Sequence, residues 1–101
     1  MEIIWLRLAR QDIEEIQSYY TEVAGKQVSD KIVTRIVKAS RLLAQQPYIG
    51  HISPLDDKGL ILEWVIPSTN YILPYSVVGN EVRIYRVFDS RQEPVNSWKE
   101  F

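Results

Sequence analysis

Arg91 closes the last strand-like run of the chain, within Ser90-Arg91-Gln92, where a guanidinium can meet a phosphate or a partner's carboxylate through paired hydrogen bonds. The same position also suits a strand-end arginine that pairs with Asp89 or Glu93, or that is simply solvated. His51 is the single histidine and the one side chain whose ordinary pKa lies near neutrality, which makes it the candidate general base. No orienting carboxylate stands at a recognisable spacing from it, although Asp56 and Asp57 follow in the same loop, so an exposed loop histidine is the favoured reading. Asp56, Asp57 and Glu63 lack the alternating oxygen ligands of a calcium loop and read as a solvated turn. With no cysteine there is no thiolate nucleophile or thiolate metal site, and neither a metal nor a cofactor is expected.

Two further groups of side chains could recognise a ligand. Trp64, Tyr71, Tyr75 and Tyr85 could stack on bases, anchor a protein interface, or pack between sheet and helices. Tyr71 and Tyr75 share one face of a strand, so a covering helix would make core residues of them. Lys31, Arg35 and Lys38 line one flank of a helix and could contact nucleic acid or an acidic segment, although a solvated basic flank is the usual case. The formal net charge is −1, whereas proteins that live by neutralising phosphates carry a basic excess. Direct sequence-specific nucleic-acid binding is therefore not expected.

The elements that must position these residues are legible by period. The chain has 101 residues, enough for one domain over 1–101 with a single core. A strand is expected over Glu2–Leu8, apolar on both faces. A helix follows, with Ala9, Ile13, Ile16, Tyr20, Val23 and Ala24 on one stripe. Asp12, Glu14 and Glu15 stand near its start, where the helix dipole favours acids. Gly25 ends that helix, and a second runs from about Lys26 to Gln46, with Val28, Ile32, Ile36, Ala39 and Leu43 as its main stripe and Pro47 as its stop. After a loop rich in proline and glycine, strands are expected near Leu60–Ile66, Tyr71–Val78 and Glu81–Phe88. Gly79-Asn80 joins the last two as a two-residue hairpin turn. Pro74 cannot donate to a ladder, so a bulge or a locally unpaired edge is expected there. The tail PVNSWKEF suits a turn of helix with Trp98 or Phe101 packed back on the body. This order, β-α-α-β-β-β, implies an α+β fold in which a helical hairpin packs on a small, mainly antiparallel four-stranded sheet. No secretory signal or bilayer-spanning run is read, and a reducing cytoplasm fits the missing cysteines.

Taken in order, Trp5, Asp12-Ile13, Ile16, Tyr20, Leu42-Leu43, Pro47, Gly50, Glu63-Trp64-Val65, Tyr71-Ile72-Leu73, Tyr75, Arg86-Val87 and Ser90-Arg91-Gln92 resemble the RelE/ParE toxin superfamily over nearly the whole chain. The resemblance implies the toxin of a type II toxin–antitoxin pair, held inactive by a cognate antitoxin that wraps its surface. ParE-like members inhibit DNA gyrase by binding, and RelE-like members cut messenger RNA on the ribosome.

Metal-free cleavage at a 2′-hydroxyl needs a base, a cation for the phosphorane and an acid for the leaving oxygen. Where RelE-like nucleases place an arginine after the tyrosine, this chain has Ile72, and where many relatives have a histidine before the final Ser-Arg it has Asp89, which would repel phosphate. Leu62 and Pro74 also replace arginines of close relatives. The ParE-like reading is preferred, with the RelE-like nuclease and a non-toxic antitoxin-binding relative as alternatives. Arg91 and His51 are the only candidates for catalysis. Arg91, Arg86, Trp64, Tyr75 and Trp98 are the expected partner contacts. The exposed edges of so small a sheet point the same way, since an added strand or helix from a protein partner would cover them.

Overall fold

The structure is a computed structural model that describes residues 1–54, 56 and 58–91. Asp57 and the tail, with the expected contacts of Glu93, Trp98 and Phe101, lie outside the described residues. In chain order the elements are β1 (Glu2–Trp5), α1 (Arg7–Ala24), α2 (Lys26–Gln45), β2 (His51–Ile52), β3 (Leu62–Val65), β4 (Tyr71–Val78), β5 (Glu81–Ile84) and β6 (Phe88–Asp89). The strands form one sheet in the order β1-β5-β4-β3-β2, with β6 also paired to β4. Among the described residues only β1 and β5 run parallel, and every other pairing is antiparallel. The sheet is therefore six-stranded rather than four-stranded, because two-residue strands too short to leave an alternation extend it.

The helical hairpin turns on a single residue. Gly25 donates its backbone N–H to Thr21 O and accepts from Ser29 N, so it closes one helix and opens the next. Its φ of 92° lies in the region that only glycine occupies without strain. Beyond the sheet the hairpin tip is solvated: residues 21–28 are all exposed, including Val23 and Val28, which the helical stripes place inside. The stripes bury Ala9 of α1 with Ile36 and Leu43 of α2 against Leu73, Tyr75, Val82 and Ile84 of the sheet. Each buried Ile, Leu or Val among them contributes about 1.5–3 kcal/mol relative to exposure.

The last expected strand is split. Tyr75 pairs with Ile84, and Ile72 pairs with Phe88. Leu73 and Pro74 on β4 are therefore spanned by Tyr85, Arg86 and Val87, a bulge of one residue. Pro74 is the cause. Its carbonyl accepts from Tyr85 N, so its missing N–H falls on this same side of β4, where a regular ladder would need it. On the other side Pro74 faces Glu63 in β3, and the strand is undisturbed. Gly79 and Asn80 make the expected two-residue turn between Val78 and Glu81.

Candidate functional site

The bulge turns Arg86 and Val87 toward α1, and a cleft of about 530 Å³ opens between them. From α1 come Asp12, Glu15, Ile16, Tyr19 and Tyr20, spaced three and four apart and thus on one helical face. Opposite them stand Tyr71 of β4, the bulge, β6 and Arg91.

Two acid–arginine pairs frame the cleft. Arg86 donates from Nε to Asp12 Oδ2 at 2.7 Å and from Nη2 to Asp12 Oδ1 at 2.9 Å. The backbone N–H of Val87, released from the ladder by the bulge, also donates to Asp12 Oδ2 at 2.9 Å. Asp12 thus does not serve the helix start: α1 begins at Arg7, its first turn holds no acid, and Asp12 is buried against the sheet. Hydrogen bonding to Asp12 raises the Arg86 pKa above its ordinary value, against the effect of burial.

In the second pair Arg91 donates from Nη2 to Asp89 Oδ2 at 3.0 Å and from Nε to Oδ1 at 3.2 Å. The backbone N–H of Arg91 adds a third bond to Oδ1 at 2.9 Å. Asp89 is buried while the Arg91 side chain is 60% exposed. The Arg91 guanidinium holds the Asp89 carboxyl below its usual range, overcoming the opposing effect of burial. Asp89, expected to repel phosphate, is therefore neutralised within the chain.

Tyrosines fill the space between the pairs. Burial, and then the adjacent Tyr20 hydroxyl, push the Tyr71 hydroxyl well above the usual tyrosine range, so it is a neutral hydrogen-bonding group at physiological pH and not a base. Tyr20 also reaches the Arg91 guanidinium. Its ring meets that of Tyr19 edge to face, with centroids 5.0 Å apart.

The remaining expected contacts fall elsewhere. Tyr75 is fully buried, donates to Pro47 O at 2.8 Å and accepts from Gly50 N at 3.0 Å, so it latches the segment after α2 instead of facing a partner. Arg86 spends its guanidinium inside the chain, as described above. Trp64 is half-buried on the sheet face that meets α2. Arg91 alone of the described candidates is both mostly exposed and part of the cleft.

His51 does have an orienting carboxylate, contrary to its reading as an unassisted loop histidine. The antiparallel register of β2 and β3 sets His51 across from Glu63, with Nε2 3.2 Å from Oε1. Ser53 Oγ donates to the other carboxylate oxygen of the buried Glu63 at 2.8 Å. His51 does not line the cleft that holds Arg86 and Arg91. Asp12, Tyr19 and Tyr20 were missed as site residues. Asp12 did carry a signal, since an acid three residues after Ala9 and one before Ile13 lies on the apolar stripe.

Chemically, the cleft offers three acids against two arginines, with both arginines already forked onto aspartates. A guanidinium has five N–H donors, and the contacts of Arg91 with Asp89 and Tyr20 do not use all of them, so part of its exposed edge can still bind a carboxylate or carbonyl.

The family model described as the ParE toxin of type II toxin–antitoxin systems, parDE, matches residues 3–94. A chain of the chromosomal ParDE TA system from P. aeruginosa has a similar fold, with a TM-score of 0.77 at 23% identity over 88% of this chain and 95% of that one. No sequence among the curated proteins matches significantly. No helix of the described residues is long and apolar enough to cross a membrane.

Proposed function

The chain belongs to the family of ParE toxins of type II toxin–antitoxin systems, and on that footing we propose that it halts growth by binding a target protein, DNA gyrase, and is neutralised in the cytoplasm by a cognate antitoxin. The observation that carries this reading is the state of the two cleft arginines. Each is forked onto an aspartate, so neither brings an uncompensated positive charge to a phosphorane. The tyrosine between them is held protonated and offers no base. An exposed guanidinium edge beside a tyrosine wall suits protein recognition, where arginine and tyrosine carry most of the binding energy.

A second reading, metal-independent cleavage of messenger RNA on the ribosome, draws on one observation: His51 is oriented by the buried Glu63. Against it, His51 has no place in the cleft that holds the arginines.

Induced expression without an antitoxin separates the two. Gyrase inhibition predicts filaments and a DNA-damage response with messages intact, and the purified chain should block supercoiling by gyrase. Rapid translation arrest with cleaved messages would favour the nuclease. Unimpaired growth would sink both and leave a non-toxic antitoxin-binding relative.

A further inference from the structure

A second depression, of about 360 Å³, lies between α2 and the turn that follows β3, away from the tyrosine cleft. Ala39, Leu42, Trp64, Ile66 and Pro67 make it largely apolar, and Arg35 and Lys38 stand on its rim. Lys31 continues the same helical flank at i, i+4 and i+7 spacing. All three cations are exposed, and among the described residues none has an ion pair. Four other cations do: Lys26 with Asp30, Arg83 with Glu81, Arg86 with Asp12, and Arg91 with Asp89.

Trp64, which lines the groove, also carries an unmet donor. Trp64 Nε1 is buried and has no hydrogen-bond partner among the described residues. An indole N–H can only donate, and leaving a buried donor unmet is costly. Apolar lining and a rim of unpaired cations define a complementary occupant. It carries aliphatic side chains, and carboxylates one helical turn apart.

We propose that this groove is a docking site for an acidic, aliphatic segment of a protein partner, with carboxylates on Arg35 and Lys38 and apolar side chains against Trp64 and Leu42. Nucleic acid is the poorer occupant, because the groove is mostly apolar and the chain has no cationic excess, with a net charge of −1. The inference draws on the toxin reading only in expecting a protein partner. It requires neither gyrase nor toxicity.

The test uses the full chain and a fluorescein-labelled peptide of Glu and Leu residues, followed by anisotropy. A peptide with Gln in place of Glu and a labelled single-stranded oligonucleotide are run alongside. The Glu peptide should bind saturably and more tightly than the Gln peptide. The double variant Arg35→Gln with Lys38→Gln should weaken it at least about fivefold, as two partly exposed ion pairs do together. Lys58→Gln, an exposed lysine outside the groove, should change nothing. The Trp64 indole N–H resonance, assigned by its loss in Trp64→Phe, should shift on binding. The proposal is overturned if the Gln peptide binds equally well, if the double variant binds like wild type, if the Trp64 resonance stays put, or if the oligonucleotide alone binds through Arg35 and Lys38. Because binding is read instead of growth, failure here leaves the toxin reading untouched, and a non-toxic chain would leave this result standing.

Discussion

Asp12 and Arg86 stand 74 positions apart in the chain and meet in a two-pronged ion pair at 2.7 and 2.9 Å. Val87 adds its backbone N–H to the same carboxylate. This contact ties α1 to the bulge, and the bulge exists because Pro74 cannot donate to a regular ladder at that point. A break in one strand's ladder is thus answered by an acid on a helix, and the cleft that carries Arg91 is built on the junction.

Removing one partner of this pair leaves the other charge largely buried and unmet, since the Arg86 and Asp12 side chains are only 25% and 10% exposed. Asp12→Ala and Arg86→Ala should each lower unfolding stability by about 3–5 kcal/mol in urea titrations. Replacing both with apolar residues of similar size, Asp12→Leu with Arg86→Met, should cost less than either single change. A loss in the double variant equal to the sum for Asp12→Leu and Arg86→Met made singly would show that the two residues act independently.

A second tie depends on a close backbone approach. A Cβ on Gly50 would lie 2.7 Å from Glu63 O and 2.7 Å from the Tyr75 hydroxyl. Neither the β3 backbone nor the fully buried Tyr75 ring has room to give. Gly50→Ala should therefore destabilise the fold more than Tyr75→Phe, which keeps the ring and strips the bonds to Pro47 O and Gly50 N. Tyr75→Phe should cost roughly 1–3 kcal/mol, the usual effect of an unmet buried group. Thermal unfolding of the two variants side by side checks the order.

Element order was legible because each element is written locally: helical stripes in 9–24 and 28–43, alternation in the closing strands, Gly79-Asn80 at the hairpin. The disturbance at Pro74 was legible for the same reason, since the missing donor belongs to the residue itself. What it caused was not. A bulge of one residue shifts the register after Ile84, and no local pattern tells which distant acid will meet the displaced Arg86. The His51–Glu63 contact was hidden likewise, because two-residue β2 is set by pairing with β3 and leaves no alternation to read. Alternation did place Tyr71 and Tyr75 on one face, but only helix packing makes both of them buried.

Asp89 gives the protein an acid-sensitive contact. Its pKa is lowered in the folded chain, chiefly by Arg91, so its contribution to stability is present above the unfolded value of 3.8 and disappears as pH falls through the folded value. The difference in stability between wild type and Asp89→Asn should be flat from neutral pH down to about pH 5 and close below about pH 4. In an Arg91→Ala background the folded value lies nearer the ordinary one, and the pH dependence should flatten. A gap that widens on acidification would mean the Asp89 carboxyl is raised in the folded state, the opposite of what its three bonds from Arg91 imply.

Arg91 links that contact to function. Its side chain is mostly exposed, and the backbone bond from its own N–H to Asp89 survives truncation of the side chain. Arg91→Ala should therefore keep a cooperative unfolding transition while growth inhibition on induced expression weakens, by about tenfold in the inducer needed if the guanidinium supplies one charge-assisted contact to the target. Arg91→Lys should restore less than the conserved charge suggests, because an ammonium cannot fork onto Asp89 and present a second planar edge outward at once. Full toxicity in both variants would remove Arg91 from the target interface. Loss of the folded state in Arg91→Ala would instead make the Asp89 pair structural and leave the tyrosine wall of the cleft as the surface to mutate next.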